Sequence, residues 1–453
     1  MNKGEIIELE ITKLVYGGEG IGRYDDMTVF VSDTTPGDIV KAELISVKNN
    51  YAKAILKEVI KPSEQRIKPF CPLSNACGGC QWQYINYEEQ LRAKKVIVEE
   101  CLKKIAGTEI PVKDTISSSE TKNYRCKIQF PVQQTKVSKR FVAGYYKKGT
   151  HDLVNIKYCP AQPEIIDEIT AFLREKAAEL NLTAYNERNK KGLIRHFVFR
   201  YSKTAQDVVL TIVINAEKTP ENLIKLCDSV KEKFQQVVGV VVNFNTSHTN
   251  LIMGKNSQLI HGRDYIEEML DSKIFKISHD AFFQVNPLTA SKIFNEVREI
   301  VKQRVNNPSI LDIYSGSGSF SIYLSDLASE IVAVEEIESA INDGKENILK
   351  NNIQNIHYIN ENADTAVPKL AAEGKKFDVI ILDPPRKGCS KEVLEAVKQL
   401  ADKFVIYISC DPSTLARDYK ILSDKFTAEF VQPVDMFCHT YHVESILVAR
   451  AKD

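Results

Sequence analysis

The stretch ILDIYSGSGSF at residues 310–320 sets an apolar run, Ile310 to Ile313, directly against a turn of glycines and serines. Such a run reads as a buried strand, and the glycines let the backbone pass close to a ligand as a helix begins. Apolar runs recur at 331–334, 356–359, 379–382 and 404–409, with helical spacing between them. A helix over 288–304 leads into the first strand, and one over 391–402 precedes the last. Repeated βα units of this kind build a parallel, doubly wound sheet, so residues 276–453 are expected to form a Rossmann-like domain. Ligands of such sheets bind outside the carboxyl ends of the strands, which makes the residues just past each run the ones to read.

Tyr314 to Ser319 follow the first run, Glu335 the second, and Glu361-Asn362-Ala363-Asp364 the third. An acid at the second strand end can accept both hydroxyls of a ribose, and the polar groups of the third can bond an adenine edge. Any one of these alone is an ordinary loop residue; three successive strand ends favour a nucleoside-bearing cofactor. The fourth run ends in Asp383-Pro384-Pro385-Arg386, a rigid floor with one carboxylate at its edge. A DPP there resembles the signature of S-adenosylmethionine enzymes that methylate planar nucleobases. The fifth run ends at Cys410-Asp411-Pro412. A lone cysteine is usually a buried apolar residue; at a strand end beside DPP it reads as a nucleophile. Carbon 5 of uracil is a poor nucleophile, but a thiolate added at carbon 6 gives carbon 5 carbanion character, and a base must afterwards remove the carbon 5 proton. Glu444, in CHTYHVE (438–444), is the candidate base. The alternative is amino-group methylation of adenine, which would use DPPR and leave Cys410 idle. A degenerate RNA-binding scaffold is opposed by the presence of Asp383, Cys410 and Glu444 together.

Working outward, residues 1–61 alternate apolar and polar positions in short runs separated by turn residues, as in a small antiparallel barrel. After the linker KPSEQRIKPF (61–70) come Cys71, Cys77 and Cys80, then an amphipathic helix over 87–106. From about 123 to 275 strands and helices mix as in an α+β domain, so the central unit is drawn as 62–275. A chain of 453 residues is long enough for about three domains. Sixty basic and sixty acidic residues cancel, so any RNA-binding surface must come from clustering. No apolar run reaches the roughly 18–20 residues of a membrane span, and the first residues lack the features of a signal peptide, so no membrane contact and a cytoplasmic location are expected.

Ten cysteines are few for a disulfide scaffold. Cys71-x5-Cys77-x2-Cys80 supplies three thiolates, and Cys159, followed by a proline, is the best fourth ligand. Four thiolates suit zinc or a [4Fe–4S] cluster, and the uneven spacing with a remote Cys-Pro favours iron–sulfur. Residues 122–151, with Lys122, Arg125, Lys127, Lys136, Lys139, Arg140, Lys147 and Lys148, contain no acid. Neither do residues 188–203, with Arg188, Lys190, Lys191, Arg195, Arg200 and Lys203. Phe141, Tyr145, Tyr146, Phe197, Phe199 and Tyr201 are interleaved, a combination suited to phosphates and unstacked bases.

FFQVN (282–286), LDIYSGSGSF (311–320), ILDPPRKG (381–388), ISCDPSTLARD (408–418) and HVES (442–445) resemble, in order, the signature blocks of the RNA uridine-5-methyltransferases. The resemblance implies that Gln284, Tyr314, Ser319, Glu335, Asn362 and Asp383 bind S-adenosylmethionine, with Cys410 as nucleophile and Glu444 as base. It places Asp383 close to the target base as well. It further implies a TRAM barrel at the start, a [4Fe–4S] cluster on the four cysteines, and helix 87–106 packed on the catalytic domain. Ser315 departs from the family pattern, where many members have cysteine. Four cysteines arranged this way resemble the ribosomal-RNA members, so 23S ribosomal RNA is the expected substrate, with transfer RNA as the alternative and a monomer as the working unit.

Overall fold

A computed structural model describes residues 1–135 and 137–452; Lys136 of the basic stretch lies outside the described residues. Strands β1 (Ile6–Leu14), β2 (Gly20–Tyr24), β3 (Met27–Val31), β4 (Ile39–Val47) and β5 (Tyr51–Lys61) close into a barrel in the order β1-β2-β3-β5-β4. Alternation along the strands fills it: Ile7, Leu9, Ile11, Val29, Val31, Val40 and Leu44 point inward.

Helix α1 (Tyr87–Cys101) starts where the Asn86 side chain accepts the Glu89 amide, and it ends in a π turn over Leu102–Ala106. The expected helix 87–106 is therefore α-helical only to Cys101. Val98 and Leu102 enter a core with Leu415 and Ala416 of the last helix and Leu447 of the last strand. Beyond the helix, Val112 and Ile116 form bridges to Val431 and Val434.

The chain then builds a separate sheet from β6 (Lys127–Gln134), β7 (Phe141–Tyr146), β8 (Leu153–Asn155), β9 (Ile194–Tyr201), β10 (Val208–Ile214), β11 (Val237–Phe244) and β12 (Asn256–Gly262). Its order is β12-β11-β10-β9-β6-β7-β8, with helices α2 (Glu164–Glu179) and α3 (Glu221–Lys233) packed against it. A hairpin, β13 (Tyr265–Leu270) and β14 (Lys273–Ser278), follows. Its Ile266, Leu270, Phe275 and Ile277 share a core with Phe294, Val297 and Ile310, and Asp343 accepts from the Ser278 amide and hydroxyl at 2.8 and 2.7 Å. Val209 and Val241 of the central sheet join the same core, and Glu268 accepts from the Lys203 amide at 2.6 Å, so the hairpin bridges the two layers beside the division expected at 275/276.

That layer alternates α4 (Pro287–Arg304), β15 (Ser309–Ile313), α5 (Ser319–Leu324), β16 (Glu330–Glu335), α6 (Glu338–Lys350), β17 (Ile356–Asn360), α7 (Ala363–Ala372) and β18 (Phe377–Leu382). It finishes with α8 (Lys391–Leu400), β19 (Ala401–Ser409), α9 (Pro412–Leu422), β20 (Phe426–Val434) and β21 (Glu444–Ala451). The helix expected to reach 402 stops at Leu400, because Ala401 already pairs with Phe377 of β18. Strand order β17-β16-β15-β18-β19-β21-β20 reverses at β15, where β16 and β18 lie on either side. This is the switch point at which such sheets open a crevice. β21 runs antiparallel and slots between β19 and β20. The segment leading to it is held by a buried ion pair: Lys94 of α1 and Asp435 are both fully buried, and the Tyr87 hydroxyl donates to Asp435 at 2.7 Å.

Candidate active site and cysteine pocket

At the end of β15, Tyr314 adopts φ +66°, a left-handed conformation that costs a non-glycine residue energy and is found where a site demands it. At Gly318, φ is +81° and a Cβ would stand 2.5 Å from the Tyr358 hydroxyl, so the turn into α5 has room for glycine alone. Glu335 is clamped across this turn, accepting from the Gly316 amide at 2.9 Å and from the Ile337 amide at 2.9 Å. The Glu336 amide donates to the same Oε1 as Ile337, at 3.0 Å, so the remaining acceptor capacity of this carboxylate is on Oε2. Asn362 caps α7 by accepting the Asp364 amide at 2.8 Å, and its amide group donates to Glu336, tying the second and third strand ends together.

The segment that follows Asp383-Pro384-Pro385 is fastened at Cys389 by Asp418 of α9. That carboxylate accepts the Cys389 amide at 2.8 Å, the Tyr407 hydroxyl at 2.6 Å and the Arg417 Nε at 2.7 Å. Asp418 lay within a quoted motif but had no assigned role; only its contacts reveal that it sets the floor of the crevice. Burial, and then the neighbouring Asp312, push the Asp383 carboxyl up to about 7. Asp312 is itself fully buried, raised to about 7 by burial, and accepts from Ser321 at 2.6 Å while its Oδ1 has no partner.

Cys410 is half-buried at the end of β19. Burial, then Glu444, push its thiol up to about 12, and Arg386 pulls it down. Glu444 opens β21 with only 4% of its surface exposed. Burial, then Asp383, hold its carboxyl well above the usual range, against Arg386. Gln284, Tyr314, Ser319, Glu335, Asn362, Asp383, Cys410 and Glu444 all line one cleft of about 880 Å³. Phe282 joins them at the wall with 62% of its surface exposed.

Cys71, Cys77, Cys80 and Cys159 line a second pocket together with Arg125 and Tyr145. Burial holds the Cys77, Cys80 and Cys159 thiols above their ordinary value, while Arg125 draws them the other way, a built-in countercharge for thiolates. Among the described residues no three His, Cys, Asp or Glu side chains gather as the ligands of a single metal ion. A tetrahedral zinc with bonds of about 2.3 Å needs its sulfurs within about 3.8 Å of one another. Four thiols lining one pocket are a donor set that both zinc and an iron–sulfur cluster accept.

The basic stretches divide. Lys139, Arg140, Lys147, Lys148, Arg188, Lys190 and Lys191 are exposed on the central sheet's loops. Arg195, Arg200, Phe197, Phe199 and Tyr201 are buried because β9 runs through the middle of its sheet, and Phe141 of β7 is buried in the same core. Those two cations and four rings do not form an RNA surface.

Residues 86–452 match the family described as tRNA (uracil-5-)-methyltransferase, and residues 2–57 match the TRAM domain. The chain belongs to the tRNA (uracil-5-)-methyltransferase family. A relative from Clostridium tetani, named as an uncharacterized RNA methyltransferase, is 34% identical over 449 residues, covering 99% of this chain and 97% of its own length. One from Caldanaerobacter subterraneus, similarly named, is 35% identical over 452 residues, covering 98% and 99%. In fold the chain is similar to the Pyrococcus abyssi tRNA (uracil-54, C5)-methyltransferase, solved with S-adenosyl-L-homocysteine, with a TM-score of 0.76 at 24% identity over 98% of this chain and 100% of that one. Membership of the family makes this chain an S-adenosylmethionine-dependent RNA methyltransferase whose barrel is a TRAM domain. No helix among the described residues is long and apolar enough to cross a membrane.

Proposed function

We propose that the enzyme methylates carbon 5 of a uridine in 23S ribosomal RNA, through a covalent bond between Cys410 and uracil carbon 6, with Glu444 as the base. The observation that carries this reading is the shared cleft, which sets Cys410 and Glu444 on neighbouring strands beside Asp383. When bound, S-adenosylmethionine supplies a methyl group on a sulfonium. Glu335 and Asn362 would hold its nucleoside, with Gln284, Tyr314 and Ser319 walling it in and Asp383 facing both donor and base. The Cys410 thiolate adds to carbon 6, carbon 5 takes the methyl group, and Glu444 removes the carbon 5 proton as the bond to sulfur breaks. A carboxylate buried this deeply is a stronger base than one in water. Arg386, drawing both Cys410 and Glu444 toward their ionised forms, supports the same roles.

The four cysteines are the ground for ribosomal RNA. Transfer RNA is the second reading, favoured by the description of the family and by the substrate named for the Pyrococcus abyssi enzyme. The enzyme is read as acting in the cytoplasm as a single chain. Purified enzyme, incubated with 23S and transfer RNA and labelled S-adenosylmethionine, should leave 5-methyluridine in the digested 23S RNA. Label confined to transfer RNA would replace the substrate, and N6-methyladenine would replace the reaction.

We also propose a structural [4Fe–4S] cluster held by Cys71, Cys77, Cys80 and Cys159, which would tie the loop after the barrel to the central sheet. Protein purified without oxygen is expected to be brown with about four irons per chain, one per thiolate ligand. Stoichiometric zinc without iron would sink the assignment.

A further inference from the structure

The barrel reaches the chemistry through one tight turn. Residues 15–19 close on hydrogen bonds from Val15 to Glu19 and from Gly18 to Val15, each 3.0 Å long. The buried Trp82 indole donates to the Gly18 carbonyl at 3.1 Å, and Leu14 packs with Trp82, Ile85, Ala93 and Ile97, so the turn is anchored on α1 and the cysteine loop. Gly18 lies so close to Tyr441 that a Cβ would come within 3.0 Å of that ring. From this anchored turn Tyr16 extends to the two segments that carry the proposed catalytic pair, just after β19 and just before β21. Its hydroxyl donates to Asp411 Oδ2 at 2.9 Å, next to Cys410 in sequence. Its ring meets that of Tyr441 edge-on at 5.6 Å, and Tyr441 meets His442 at 4.3 Å, two residues before Glu444.

We propose that Tyr16 of the TRAM barrel is a positioning residue for methyl transfer, holding Cys410 through Asp411 and the Glu444 strand through Tyr441. The inference rests on the reading of Cys410 and Glu444 as the catalytic pair. Asp411 has two tasks. Its Oδ1 caps α9 by accepting the Ser413 amide at 2.9 Å and the Thr414 amide at 3.3 Å, and its Oδ2 is left for Tyr16. Nothing in a barrel that only gripped RNA would require this bond, which spans 395 residues of sequence.

The electrostatic consequence has a definite sign. Cys410 is faced by Glu444, Asp383 and Asp411, which disfavour its thiolate, and by Arg386, which favours it. Asp411 in turn faces Tyr16, Cys101 and His442. A hydroxyl donated to Asp411 disperses its charge. Without that donor the carboxylate acts on the thiol undiminished, and the thiolate forms at higher pH.

The test times covalent adduct formation on denaturing gels, across a neutral-to-alkaline pH series, with ribosomal and transfer RNA transcripts carrying 5-fluorouridine. Tyr16→Phe in the full chain keeps the ring and loses the donor. It is expected to form adduct roughly tenfold more slowly, the scale of a hydrogen bond to a charged group, with its rise shifted to higher pH and RNA affinity unchanged. Asp411→Asn keeps Oδ1 as a cap but offers no second acceptor to Tyr16, so the double variant should be no slower than Asp411→Asn alone. Wild-type adduct rate and pH profile in Tyr16→Phe, whatever its melting temperature, would overturn the inference while leaving the catalytic pair in place. If wild type itself forms no adduct, the reading of Cys410 fails, and this inference with it.

Discussion

Cys410→Ala should transfer no measurable methyl group and form no covalent complex, while Glu444→Gln should remain bonded to RNA with ordinary uridine. The two variants stop the same sequence of steps at different points. Without the sulfur, carbon 5 is never activated, and turnover should fall by roughly 10⁴-fold or more, as when a nucleophile that works as part of a unit is removed. With glutamine at 444 the thiol still adds and the methyl group still moves, but nothing removes the carbon 5 proton, so the sulfur cannot leave. The amide is nearly the same size as the carboxyl it replaces, and burial already favours the uncharged form of Glu444, so the strand should pack as before. A band stable to denaturation in Glu444→Gln, absent in Cys410→Ala, is the expected gel. Wild-type turnover in Cys410→Ala would move amino-group methylation of adenine to the front.

Lys94→Ala should cost about 3–5 kcal/mol, because it strands the Asp435 carboxylate in a dry interior with neutral neighbours such as the Tyr87 hydroxyl and without its Lys94 countercharge. Lys94 also donates to the Phe437 carbonyl at 3.1 Å, so the substitution unties the turn that leads to Glu444 as well as the ion pair. Replacing both partners, as in Lys94→Met with Asp435→Leu, removes the unpaired charge and should recover part of the loss. Urea titration of the three proteins decides it. A single-variant loss below about 1 kcal/mol would mean that water reaches Asp435 and that the pair is not dry.

Much of the site was legible because each strand end carries its chemistry within a few residues of an apolar run. Asp383 sits just after β18, Glu335 at the end of β16 and Cys410 just after β19, so finding the strands found the residues. Local pattern also marks the barrel, whose inward side chains alternate. What sequence could not supply is the choice among equally plausible neighbours. Arg195 and Arg200 looked like an RNA surface until pairing put β9 in mid-sheet, with Arg195 donating to the Asn245 carbonyl at 2.7 Å. The hairpin at 265–278 has the same alternation whichever layer it joins, and only its contacts show that it touches both. Asn362, read as an adenine contact, also spends its Oδ1 on a helix cap. Tyr16 carried no signal at all, since its partner lies 395 residues away.

The placement of β21 bears on how the enzyme is made. The barrel and the central sheet can close from residues that leave the ribosome early, but β21 has to enter between β19 and β20, and Lys94 of α1 finds its countercharge at Asp435. The apolar face with Val98 and Leu102 waits for Leu415 and Ala416 of α9, a long-range closure of the kind that folds slowly and invites aggregation. A nascent chain can therefore present its TRAM domain and its basic loops to RNA while Glu444 has yet to emerge. A chain stalled before residue 444 would lack both the proposed base and the strand that joins β19 to β20.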